Sequence, residues 1–150
     1  MCFLLYAATT KPLPLRSWEH GSPNLAVKSL TSHEVAIKSH FSNPEVQFIG
    51  STSGCGCDFP REFLQDGTWF YFDEDQIEAE EAANHHLNRE GLYNLLRSTG
   101  DSTVELYGVW DGNFAQAPLA YESISAEKIL SPEFRLKEQG FYKVHMTVSG

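Results

Sequence analysis

Cys55 and Cys57, one glycine apart in the stretch Ser51-Thr52-Ser53-Gly54-Cys55-Gly56-Cys57, are the residues whose type and spacing point most directly to chemistry. Side chains two positions apart on an extended backbone project to the same side. The two thiols can therefore aim at one point while Gly56 lets the chain bend between them. Thiolates select zinc, cuprous copper and iron–sulfur clusters, and a structural zinc takes four ligands in a tetrahedron. The loop Gly54 to Cys57 is thus half of a site. Cys2, at the head of the first apolar run, and one of His33, His40, His85, His86 and His145 would complete a three-cysteine, one-histidine set if the strand bearing Cys2 adjoins the one entering the loop. The expectation is a zinc-like centre on Cys2, Cys55 and Cys57. Its sulfurs should converge to about 4 Å of one another, because zinc–sulfur bonds are about 2.3 Å long.

Other readings compete with this one. C-x-C is not the usual C-x-x-C spacing, the chain has no second pair, and free cysteines are often simply buried. In that case the protein is a non-catalytic interaction module with incidental cysteines. A disulfide between Cys55 and Cys57 would close a tight, strained and readily reduced ring, which suits thiol redox chemistry better than a scaffold. Removal of Met1 would leave Cys2 at the N-terminus, with its amine as base to its own thiol. That start resembles class II glutamine amidotransferases and other N-terminal nucleophile hydrolases, a resemblance that implies a hydrolase with Cys2 as nucleophile. It covers two residues; Phe3 stands where the amidotransferases have glycine, and no later glycine-rich or Asn-Gly arrangement matches their oxyanion hole. The residues assign no catalytic group and leave open whether the chain is an enzyme.

The remaining polar clusters have plainer readings. Glu81 precedes His85 by four residues and Glu90 follows His86 by four. Neighbouring residues lie about 100° apart around a helix, so the two histidines cannot share one ion, and surface pairs at i,i+4 are expected, with His86 flanking the buried ridge. The acids from Asp73 to Glu81 suit a helix start, and Asp111-Gly112-Asn113 reads as a tight turn. The aromatics Trp69 to Phe72 and Trp110 are expected in the core; an exposed subset would mark a partner surface. The sequence contains no glycine-rich phosphate loop, G-x-S-x-G elbow, H-E-x-x-H helix or dinucleotide fingerprint.

These residues need elements to position them. Cys2 to Ala8 is apolar at odd and even positions alike, as in a central strand covered on both faces, and prolines at 12 and 14 stop it. Arg16 to Asn24, with Gly21 and Pro23, is a surface connection, and Leu25 to Leu30 a second strand. Thr31 and Glu34 form a capping box opening a short helix to Phe41, with Val35, Ile37 and Phe41 inward. A strand at Val46 to Gly50 then completes a compact strand–helix–strand unit. Pro60 to Leu64 and the aromatic run Thr68 to Phe72 flank a turn at Asp66-Gly67. Asp73 and Gln76 cap the long helix, whose ridge is Ala79, Ala83, Leu87, Gly91 and Leu95, widened by Leu92 and Leu96 and stopped at Gly100. Thr103 to Trp110 is a strand with Val104, Leu106 and Trp110 on one face. Gln116 to Pro132 has no clear period. Phe141 to Val148 closes the fold as a strand with Tyr142, Val144, Met146 and Val148 inward. The sum is an α+β chain: a single domain over residues 1–150, a mixed sheet of about six strands, and one long and one short helix packed on it.

Composition limits the function. The 150 residues are 41% hydrophobic, enough for a core without disulfide staples, and three sparse cysteines suit a reducing, cytoplasmic setting. The apolar start lacks a basic region and is too short for a spanning helix, which needs about 20 residues, so neither targeting nor a membrane is expected. A net charge of −9 repels phosphate backbones and anionic lipid, so nucleic acid is not expected as a partner, and a protein partner or a homo-oligomer stays open. The pattern M-C-F-L-L-Y-A-A-T with its proline stop, then F-x-G-S-T-x-G-C-G-C and V-E-L-Y-x-V-W-D-G, resembles a set of small uncharacterised hypothetical proteins across most of the chain. That resemblance implies no activity, cofactor or catalytic residue.

Overall fold

The apolar run at the start of the chain forms strand β1 (Phe3–Thr9), buried at nearly every position. It lies inside a six-stranded sheet ordered β2-β3-β1-β6-β9-β7, in which β2 is Ala26–Ser29, β3 Glu45–Gly50, β6 Thr103–Trp110, β7 Ala120–Ser125 and β9 Gly140–His145. The computed structural model describes residues 2–22 and 24–146, with the backbone alone at position 74. The expected inward Val148 and the turn residue Pro23 lie outside the described residues. Neighbouring strands are antiparallel except β7 and β9, so the sheet is mixed. The strand–helix–strand unit brings β2 and β3 together as antiparallel neighbours, with Val27 opposite Ile49.

Side chains alternate between the two faces, and both faces are covered. On one, Phe3, Leu5 and Ala7 of β1 join Val27, Ile49, Val104, Leu106 and Val144 beneath the single α-helix among the described residues, α1 (Ala79–Arg97). On the other, an aromatic row crosses the sheet in register, Phe48, Tyr6, Tyr107, Phe141 and Tyr121, under a 3₁₀-helical segment at Ser32–His40. A smaller sheet of β4 (Arg61–Gln65), β5 (Thr68–Phe70) and β8 (Leu136–Lys137) extends the structure. Its hairpin turns at Asp66 and Gly67, both at positive φ, the geometry of a tight type I′ turn. The architecture is α+β, as the element pattern predicts. Among the described residues, no helix is long and apolar enough to cross a membrane.

Several local expectations change. The capping box at Thr31 forms, with its N–H and hydroxyl both donating to Glu34 Oε1 at 2.9 and 2.7 Å. The helix it opens is 3₁₀ rather than α, and three residues per turn align positions 34, 37 and 40 on the inward face. Glu34 and Ile37 are therefore buried and His40 reaches the carbonyl of Phe114, while the expected core residue Val35 is 48% exposed and Phe41 only partly buried. Asp73 and Gln76 cap a 3₁₀ turn at Glu74–Gln76, and α1 begins later, at Ala79. The expected ridge on α1 is also rotated. A strict four-residue spacing drifts about 40° per step around the axis, so Ala79 to Leu95 cannot hold one face. The buried positions are His85, Asn88, Arg89, Leu92 and Leu96, and Leu87 is 37% exposed. The unreadable stretch after Gln116 contains β7 and a 3₁₀ segment at Ala126–Leu130.

Candidate metal centre

Beyond Gly50 the chain offers only Ser, Thr, Gly, Cys and Asp until Phe59, so it leaves the sheet and folds on its own hydrogen bonds. Ser51, fully buried, donates from its backbone N–H and its hydroxyl to the carbonyl of Cys55, and accepts at its carbonyl the N–H of Gly54 at 2.9 Å. Gly54 sits at φ +95°, in the left-handed region that favours glycine, directly against the Trp18 ring. Helix α1 holds the loop from below. The buried Asn88 accepts the N–H of Thr52 and donates to the Thr52 hydroxyl, each at 2.9 Å. From above, the Trp18 indole N–H donates to the carbonyl of Thr52 at 2.9 Å.

The loop then docks on the head of β1. Gly56 N–H donates to the carbonyl of Phe3 at 2.8 Å, an approach so close that a Cβ at position 56 would stand 2.6 Å from that oxygen. On the other flank, Asp111 N–H donates to the carbonyl of Cys2 at 2.8 Å, which is what the Asp111-Gly112-Asn113 turn contributes. With both flanks fixed, the sulfurs of Cys2, Cys55 and Cys57 all lie within 4.8 Å of one another. This bound is wider than the roughly 4 Å of a loaded zinc site. Cys2 is exposed, whereas Cys55 and Cys57 are half-buried, and all three are free thiols.

The thiols are not equivalent. Burial alone would push Cys55 up, but the S–H and N–H of Cys57 (the latter at 3.4 Å), the Ser53 hydroxyl and the Cys2 thiol all donate toward its sulfur and hold it below the ordinary thiol value. Cys57 moves the other way. Burial raises it and its proton is engaged by Cys55, effects that outweigh the Phe3 N–H and the nearby Arg61 guanidinium. The cluster thus carries one sulfur biased toward thiolate and a neighbour that donates hydrogen bonds to it. Three sulfurs from two chain segments, one of them open to solvent, could hold a soft metal ion and leave a position free on the exposed side.

Among the described residues, no histidine brings a ring nitrogen into the sulfur group. His33 and His40 pack against Phe114 and Tyr107 on the far face of the sheet. His145 bonds Ser123 across the strand edge at 2.6 Å. His86 is paired with Glu90 at 3.1 Å on the outer face of α1 and is 68% exposed. His85 is the buried member of the two, 3.9 Å from Glu81, which corrects the expectation that His86 flanks the core; it lines a small cavity with Cys57. The expected fourth ligand is therefore not in place.

The aromatic run is a second correction. Phe70, Tyr71 and Phe72 are 36%, 38% and 56% exposed, because the β4–β5 hairpin stands off the main sheet and buries only part of its surface. Trp110 does pack against the core. The sequence pattern misses the residues that build the site without being thiols: Ser51, Asn88, Trp18 and Arg61. For Asn88 a signal existed, a polar residue four positions before Leu92 on the face that carries Leu96. No family model matches this sequence, and comparison with curated proteins and with solved structures likewise finds no match.

Proposed function

We propose that the chain binds one soft transition-metal ion, zinc-like in its preferences, through Cys2, Cys55 and Cys57. The observation that carries this reading is the convergence of three sulfurs, from a strand head and a distant loop, within 4.8 Å. Sulfurs on a tetrahedral zinc stand about 3.8 Å apart, so loading the site needs at most about 1 Å of closure. Thiol side chains adjust by that much through χ1. Cys55 is already inclined to the thiolate form, and the protons of the other two thiols leave as metal enters. The exposed side at Cys2 leaves the fourth position to water or a small ligand, as in sites with three protein ligands. Three reduced thiols suit a reducing, cytoplasmic compartment.

A second reading, dithiol redox chemistry, is favoured by the donation from Cys57 to the Cys55 sulfur, which matches a nucleophilic thiol beside a resolving one. One set of measurements separates the two. Protein purified without a histidine tag is analysed for zinc, copper and iron, then stripped and titrated with cobalt under reductant. The metal reading expects one ion per chain and a thiolate-to-cobalt charge-transfer band that each Cys→Ser variant weakens. Trace metal only, with no band, refutes it. A Cys55–Cys57 disulfide in unreduced protein, cleared by reductant, with no metal bound before or after, favours the redox reading instead.

A further inference from the structure

Beside Cys57 lies a cavity of about 40 Å³, walled by Phe63 and Phe72 and bounded by Arg61, His85 and Arg135. Arg61 is unusual within it. Its guanidinium sits 5.6, 5.1 and 5.4 Å from the ring centroids of Phe3, Phe63 and Trp110, so aromatic faces surround the cation. Among the described residues, no acceptor takes a hydrogen bond from it and no carboxylate pairs with it. Glu138, which accepts from the Trp110 indole N–H, is also engaged by the Leu64 N–H. Arg135, by contrast, spends its donors on the carbonyls of Pro132, Phe134 and Phe72. Glu81, which also lines the cavity, is turned to His85 along the helix. In a chain of net charge −9, a guanidinium fork with no protein acceptor thus lines a cavity of mixed character, with Phe59, Phe63, Phe72 and Ile77 supplying its apolar wall.

We propose that this cavity is a binding subsite for a small carboxylate, gripped by the Arg61 fork with its carbon chain against Phe63 and Phe72, and bordered by Cys57. A guanidinium matches a carboxylate through two parallel N–H···O bonds, and the cavity has room for roughly three water-sized groups, so a two- or three-carbon acid, with four or five heavy atoms, would fill it and extend into its mouth. Binding at Arg61 does not require a metal. The further role, in which the carboxylate serves as substrate or added ligand of the sulfur centre, rests on the metal reading.

Propionate, added to the untagged full-length chain in metal-free and cobalt-loaded forms, is the test. The Arg61 Nε–H resonance should shift to saturation, and irradiation of the Phe63 and Phe72 rings should transfer saturation to the propionate methyl. Arg61→Gln should weaken binding by about tenfold or more, and Arg61→Lys, which keeps the charge without the fork, by less. Equal shifts from chloride or propylammonium, absence of ring-to-methyl transfer, or unchanged affinity in Arg61→Gln overturns the proposal. If Arg61→Gln does not fold, the wild-type measurements decide alone. Propionate bound by a chain that takes up no metal leaves the subsite standing and sinks the metal reading; cobalt bound without propionate does the reverse.

Discussion

Replacing Gly56 by alanine probes the one close approach on which the sulfur cluster depends. The backbone at Gly56 is not in the left-handed region, so alanine adds no conformational strain and acts through space alone. Its Cβ would lie 2.6 Å from the carbonyl oxygen of Phe3, where ordinary contact begins at 3.4 Å, a shortfall of about 0.8 Å. The obstacle is backbone of a central strand and cannot swing away. If the loop stays, overpacking costs about 1–3 kcal/mol. If it retreats, the Gly56–Phe3 hydrogen bond is lost at about 1 kcal/mol and Cys55 and Cys57 move off Cys2. That retreat roughly doubles the closure a tetrahedral ion demands, from about 1 to nearly 2 Å, and metal affinity should fall by about tenfold or more. Urea denaturation and cobalt titration of Gly56→Ala beside the wild type check both numbers. A variant with the same unfolding midpoint and the same cobalt affinity would falsify the docking of the loop on β1 as the source of the site.

Two further outcomes follow from the same geometry. With a single equivalent of iodoacetamide near neutral pH, peptide mapping should find Cys55 modified ahead of Cys57, since donors hold the first sulfur toward thiolate while burial and proton sharing hold the second toward thiol; preferential labelling of Cys57 would reverse the assignment. At Glu34, burial raises the carboxyl, but donation from the Tyr6 hydroxyl and from Thr31 prevails and leaves it below its ordinary value. A carboxylate depressed on folding contributes stability that is whole above its unfolded pKa and is lost as pH falls through the folded one. Denaturation midpoints should therefore drop on the acid side of the usual carboxylate range, and Glu34→Gln should flatten that part of the profile; an unchanged profile in the variant removes Glu34 as its source.

What could be read in the chain divides along physical lines. β1 was legible because burial on both faces leaves a continuous apolar run, and β6 because Val104, Leu106 and Trp110 alternate against the core. The capping boxes at Thr31 and Asp73 were legible as local hydrogen-bond chemistry, yet both start 3₁₀ turns, because a capping box marks where a turn begins and not how tightly it winds. The buried face of α1 is hidden from hydropathy for a related reason. It includes His85, Asn88 and Arg89, polar side chains that hydropathy assigns to solvent and that tertiary hydrogen bonds pay to bury, Asn88 to Thr52 and Arg89 to the carbonyl of Pro132. β7 is not legible in the sequence because it is an edge strand with Tyr121 and Ser123 outward and only Ile124 deeply buried, which blurs its alternation.

The thiols show the same division. Cys55 and Cys57 could be paired from their spacing, but their meeting with Cys2 depends on the antiparallel register of β1 with β3, which sets Leu5 opposite Ile49 and delivers the loop beyond Gly50 to the start of β1. Such a register is a property of the assembled sheet. It also explains why the cluster is separable from the fold. The core beneath α1 is closed by Phe3, Leu5, Ile49 and Leu106 with no sulfur among its members, so the three thiols meet at its margin. A metal site on these sulfurs would draw its selectivity from thiolate chemistry, and the register of β1 with β3 would already have met the chain entropy of bringing the loop to Cys2.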